Sequence, residues 1–284
     1  MLDADNFESA FRSADKRRFQ LNRPEISSVM ILSDLEGSEL EEFGIGLKRF
    51  LGVLGKGVRW GSVGGDQHQD ISEAVQLVER SQPDLICTYR NMKSDAWKWP
   101  FSLGGYVNVL TRATELPILV VPHPLEVSPK LWQDSDTDSV LVATDHLAGD
   151  DAMVNWGARL TREQGVLHLA HIEDDGVFER YLDAISKIEG INTEFARNAI
   201  MEQLHKEPRE YTATCQEALA AAGHGFGVEP QIRNGRSLQD YQNLIAEHEI
   251  DLLILRATEG GQLAMHGASY LLAVELRQTP LLMI

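Results

Sequence analysis

The feature that most constrains this chain is an internal repeat. Ser28, Val29, Met30, Ile31, Leu32, Ser33 and Asp34 match Ser139, Val140, Leu141, Val142, Ala143, Thr144 and Asp145 position by position: Ser-Val, three apolar residues, a hydroxyl, an aspartate. Further on, Ile71, Leu77 and Val78 precede Asp84 at the distances at which Leu238, Leu244 and Ile245 precede Asp251. Gly104 to Val121 and Gly267 to Ile284 each span seventeen positions. Three ordered matches indicate a tandem duplication, and self-similarity has to be read before any motif is interpreted.

The repeated unit is α/β. Its closing part reads as an apolar strand (Leu85 to Thr88; Leu252 to Leu255), a glycine-bearing turn, a helical segment, a proline (Pro117; Pro280) and a last apolar run. Strands apolar on both faces and alternating with helical patterns imply a parallel sheet covered on both sides, with right-handed crossovers. Boundaries follow from the repeat. Residues 1–27 form an extension without a counterpart, 28–122 the first domain, 123–138 a proline-bearing and acidic linker, and 139–284 the second domain. Phe7, Ala10, Phe11 and Ala14 in the extension have helical spacing, and the segment is expected to dock on the protein's own body or a second subunit. Trp132 in the linker is expected to dock on a domain.

These residues resemble the universal stress protein family in its tandem two-domain form, whose domain opens with a buried strand ending in Asp and closes with Asp-Leu-Ile, a glycine loop, a Gly-Ser-led helix, Pro and a last strand. The resemblance implies two open, parallel, Rossmann-like sheets of the adenine nucleotide alpha hydrolase type. Asp34 to Asp84 is fifty positions and Asp145 to Asp251 one hundred and six, so the first domain should lack one strand. Alignment of the Ile71 helix with that at Leu238 assigns the loss to the family's second strand and the helix after it. Four strands are expected in the first domain, with the Val58 to Val63 segment beside the strand at 29–33, and five in the second. The family's pairing through final strands, together with the need to cover an apolar edge, implies that Ile118 to Val121 and Leu281 to Ile284 pair antiparallel within the chain.

Nucleotide-binding members of this family hold ATP outside the carboxyl ends of the strands, where the strand order reverses. Carried over residue by residue, Asp145 faces the base or ribose and Ile172 lies where backbone contacts to the base arise. The phosphate loop, Gly-x2-Gly-x9-Gly-Ser/Thr, is degraded. Gly267 matches the helix-leading glycine, Ala268 replaces the hydroxyl residue and Ser269 stands one place late. Ala257 fills the upstream glycine position, while Gly260 and Gly261 are displaced toward the helix. Arg256 and His266 are candidate substitutes for the lost backbone contacts. ATP is therefore expected in the second domain only. In the first, Ser94 replaces a glycine and Trp97, Trp99, Pro100 and Phe101 crowd the loop. The resemblance implies a non-enzymatic stress-response or regulatory module. The alternatives are a nucleotide-free protein-interaction module with vestigial pockets, or a slow ATP hydrolase, which lacks an identifiable general base or metal-binding carboxylate pair.

Composition narrows the partners. Forty-three acidic against 26 basic residues give a net charge of −17, which repels nucleic-acid phosphates and anionic headgroups. No apolar run reaches the length of a membrane span, the acidic amino terminus is unlike a signal peptide, and the two cysteines lack metal spacing, so a cytoplasmic protein is expected. His168 and His171 are three apart on a strand and project to opposite faces, against joint metal ligation.

Overall fold

The computed structural model describes residues 17–95, 102–124, 131–144, 147–188, 190–257 and 267–284. The first half contributes β1 (Ser28–Leu32), α1 (Gly37–Phe50), β2 (Arg59–Val63), α2 (Ile71–Ser81), β3 (Leu85–Tyr89), α3 (Gly105–Ala113) and β4 (Ile118–Val121). After the one-turn helix α4 (Leu131–Asp134) come β5 (Ser139–Ala143), α5 (Asp151–Leu160), β6 (Val166–Asp174), α6 (Asp175–Ser186), α7 (Thr193–Ala221), β7 (Gly227–Gly235), α8 (Ser237–Glu247), β8 (Leu252–Leu255), α9 (Gly267–Glu275) and β9 (Leu281–Met283). They form one open sheet in the order β2-β1-β3-β4-β9-β8-β5-β6-β7. Every pairing is parallel except β4 with β9. Among the described residues four strands thus come from the first half and five from the second, as expected.

The registers repeat as the sequence does. Val29 pairs with Leu85 as Val140 pairs with Leu252, and Ile86 with Ile118 as Leu253 with Leu281. The matched serines and aspartates tie strands together at their amino ends. Asp84 Oδ2 accepts from the N–H groups of Ser27 and Ser28, both at 2.8 Å, and Asp251 Oδ2 accepts from Ser139 N–H at 3.0 Å. The backbone N–H groups of Asp84 and Asp251 donate in turn to the carbonyls of Ser28 and Ser139.

The 58–63 segment lies beside the strand at 29–33, as expected. Although α2 follows β2 as α8 follows β7, β2 lies directly beside β1, pairing Ser28 with Arg59 in the slot that β6 holds beside β5. With one strand-helix unit fewer, the remaining strand holds the inner position, because a gap beside β1 would leave a ladder unpaired. The vacant position is therefore the outermost one.

At the centre β4 and β9 run antiparallel, pairing Ile118 with Met283, Leu119 with Leu282 and Val120 with Leu281. Leu119 and Leu282 are repeat equivalents, so the pseudo-twofold axis passes through their pair. All six side chains are buried. Arg90, also buried, crosses this axis and donates to the carbonyls of Ala273 at 2.5 Å and Leu276 at 2.7 Å. A cation there satisfies the orphan carbonyls and the negative end of α9.

Two flanking segments brace the halves. The extension runs back over the second half: Phe19 packs edge-on against Tyr211 of α7, and Asn155 of α5 exchanges hydrogen bonds with Asn22 N–H at 2.8 Å and the Gln20 carbonyl at 2.9 Å. Trp132 packs edge-on against Phe43 and Phe50 of α1. The helical pattern at Phe7 to Ala14 lies outside the described residues. Among the described residues no helix is long and apolar enough to cross a membrane.

Two outcomes are expected. Removing Leu281 to Ile284 exposes the β4 edge and speeds proteolysis within residues 122–138; equal cleavage rates in truncated and intact protein would contradict the seam. Burial raises the Asp251 carboxyl to about 6, against the lowering effect of the Ser139 N–H and with added repulsion from Asp136 and Asp138. The native state therefore holds this proton more tightly than the unfolded chain, and the stability contributed below the unfolded value is lost as pH rises through about 6. Urea midpoints of Asp251→Asn should fall less between pH 4 and pH 7 than those of the parent, and an unchanged difference would refute the assignment.

Candidate functional site

In each half the strand order reverses between the first strand and the strand on its other side, and it is outside the carboxyl ends at such a reversal that open α/β sheets offer a crevice to ligands. In the first half it lies between β1 and β3 and is filled by the chain itself. Asp34 accepts from the Tyr89 hydroxyl and, at 2.8 Å, from Lys93 N–H. The Lys93 ammonium turns to the carbonyls of His68 at 2.6 Å and Gln69 at 3.2 Å. His68 is buried, with Nε2 3.0 Å from the Ser33 carbonyl and its ring against Tyr106. Gly104, at φ +95°, lies so close to Asn91 that a Cβ would sit 2.6 Å from the Asn91 Cα. The aromatic loop expected to close this pocket, Trp97 to Phe101, lies outside the described residues; Tyr89, Lys93, His68 and Tyr106 fill it.

In the second half the reversal lies between β5 and β8. Asp145, Gly260, Gly261 and His266 fall outside the described residues. Gly267 and Ala268 begin α9, followed by the half-buried Ser269. β5 pairs with β6 only as far as Ala143 with Ala170, whereas β6 continues along β7 to Asp174. The flank of β6 from His171 to Asp174 thus borders the crevice without β5 beside it. Ile172 lies there, buried and in register with Arg233 of β7.

Arg256 follows β8 and forms an ion pair with Asp150. Asp150 is the N-cap of α5, accepting from Met153 N–H at 3.4 Å, and it also accepts from the Thr144 hydroxyl at 3.2 Å. One carboxylate therefore joins the end of β5, the end of β8 and the start of α5. Sequence reasoning singled out Arg256 but missed Asp150, which has no matched partner in the first repeat and is visible only as a capping residue. The repeat gives Arg256 a second meaning. It lies five residues after Asp251, as Tyr89 lies five after Asp84, so a cation occupies the place of the ring that seals the first crevice.

No family model matches the chain, and no curated protein matches it in sequence. Solved structures do match it in fold. A universal stress protein from Archaeoglobus fulgidus DSM 4304 superposes with a TM-score of 0.52 at 13% identity, covering 91% of this chain and 98% of that one. A protein from Pseudomonas aeruginosa UCBPP-PA14, described provisionally as a universal stress protein, gives 0.49 at 12% identity over 92% and 94% of the two chains. A protein of unknown function from Pseudomonas aeruginosa PAO1 gives 0.48 at 11% identity over 92% and 93%. The chain thus has the universal stress protein fold in tandem.

Tyr89→Phe should lower the unfolding free energy by about 1.5–3 kcal/mol, the usual size of a hydrogen bond to a charged group, and should not create nucleotide binding in the first half. An unchanged urea midpoint would show that the Asp34 contact does not hold the crevice closed.

Proposed function

We propose that the chain is a tandem universal stress protein acting as a non-enzymatic regulatory module, with ATP or another adenine nucleotide held in the second half alone. The observation that carries this reading is the contrast between equivalent positions: Tyr89 seals Asp34 in the first crevice, while Arg256 stands at the reversal point of the second. The flank of β6 at Ile172 offers backbone groups to a base, and α9 is the helix that follows β8 in the chain, whose amino terminus favours phosphate. In this reading Arg256 moves from Asp150 to the phosphates, with His266 and the glycines Gly260, Gly261 and Gly267 around them and Asp145 on the base or sugar. A regulatory rather than catalytic role is supported by the commitments of Asp150 to a helix cap, a threonine and an arginine, which leave it poorly placed as a general base. A cytoplasmic setting is supported by two buried free thiols.

A second reading, partner binding without nucleotide, is favoured by the α6–α7 hairpin, where Tyr181 is 65% and Phe195 74% exposed, with Ile188 and Ile191 also exposed between the helices. A protein partner rather than a second copy at the final strands suits this surface, because β4 and β9 already cover each other.

Calorimetric titration with ATP separates the two readings. One equivalent should bind, Asp145→Ala should abolish binding, Arg256→Gln should weaken it about tenfold or more, and Asp34→Ala should leave it unchanged. Absence of binding by the parent, or loss only in Asp34→Ala, would reject the nucleotide reading.

A further inference from the structure

A second cluster lies on the same half at the opposite end of the strands. His168 is the third residue of β6 and Glu229 the third of β7, and the two are in register, so they share one face of the sheet. Helix α8 packs on that face and runs back toward the amino ends of the strands, where its C-cap residue, His248, meets His168. The two imidazole rings lie 4.4 Å apart between centroids. His168 Nδ1 is 3.7 Å from Glu229 Oε2. One nitrogen or oxygen from each of the three residues lies within 4.8 Å of the others.

We propose that His168, Glu229 and His248 form a binding site for a divalent transition metal of the zinc class. Two imidazoles and a carboxylate are a borderline-soft donor set suited to zinc, with a fourth position left for water. A tetrahedral site with bonds of about 2.0 Å has edges of about 3.3 Å, so the His168–Glu229 separation needs only a small contraction. His248 Nε2 is buried and has no hydrogen-bond partner, a state that costs free energy in a folded protein unless another ligand completes it. His168 is also buried, at 3% exposure. Glu229 is exposed and gives the ion a route from solvent. The competing partner is the Gln231 amide, whose Nε2 lies 3.4 Å from His168 Nδ1. That contact is long and weaker than coordination, and Gln231 can rotate away. Bound metal would tie the edge strand β7 and the end of α8 to β6. This site is remote from the crevice and independent of the nucleotide reading.

The test is calorimetric titration of the chelator-stripped full chain with zinc sulfate. One saturable equivalent is expected, accompanied by a rise in melting temperature. Glu229→Gln, on an exposed side chain, and His248→Gln should each weaken binding at least tenfold with unchanged far-ultraviolet circular dichroism, whereas His224→Gln should retain the parent affinity. No saturable binding by the parent, parental affinity in both Glu229→Gln and His248→Gln, or loss in His224→Gln would overturn the assignment.

Discussion

Everything in this molecule hangs on the antiparallel pairing of β4 with β9. Two parallel half-sheets each end in an apolar strand whose outer backbone groups would otherwise face water, and an edge of that kind is an association hazard. Pairing Leu119 with Leu282 on the pseudo-axis closes both edges at once and makes nine strands one sheet. The buried Arg90 adds a second constraint across the same axis. Its guanidinium replaces water on the last carbonyls of α9, so separating the halves would strand a buried cation and leave those carbonyls without their donor.

Once the halves are joined, they need not remain alike. The first half has one strand fewer than the second, and Tyr89, Lys93 and His68 pack the position where its strand order reverses. The second keeps five strands, a longer β6 flank and an arginine at the reversal point. The extension and linker reinforce the asymmetry. Phe19 and Asn22 strap the amino-terminal segment to the second half, while Trp132 locks α4 onto the first.

The repeat made the fold legible, because matched aspartates and serines and equally spaced closing units are present where motif residues are not. Asp84 and Asp251 are strand ties at the amino ends of their half-sheets, a role that does not depend on either crevice. Pro230 was compatible with a strand only because β7 is an edge, free of a second ladder. The place of β2 beside β1 was legible too, because a buried first strand needs a partner on each side. At the candidate site, Ile172 and Arg256 were singled out through the family resemblance, whereas Asp150 was not, because a single capping residue carries no periodic signal. His168 was correctly separated from His171, yet its partners arrive from β7 and from the end of α8, contacts set by register and helix packing rather than by proximity along the chain.

The central claim is that the β4–β9 seam joins the two halves into one cooperative unit. Native-state hydrogen exchange tests it most directly, because amides that open only with global unfolding report the full stability of the unit to which they belong. The seam predicts that the amides of Ile118 to Val121 and Leu281 to Met283 exchange with the same protection as those of β3 and β8, and with the same denaturant dependence. Seam amides that exchange on the order of a hundredfold faster than β3 and β8 through local opening would show two independent domains that merely touch.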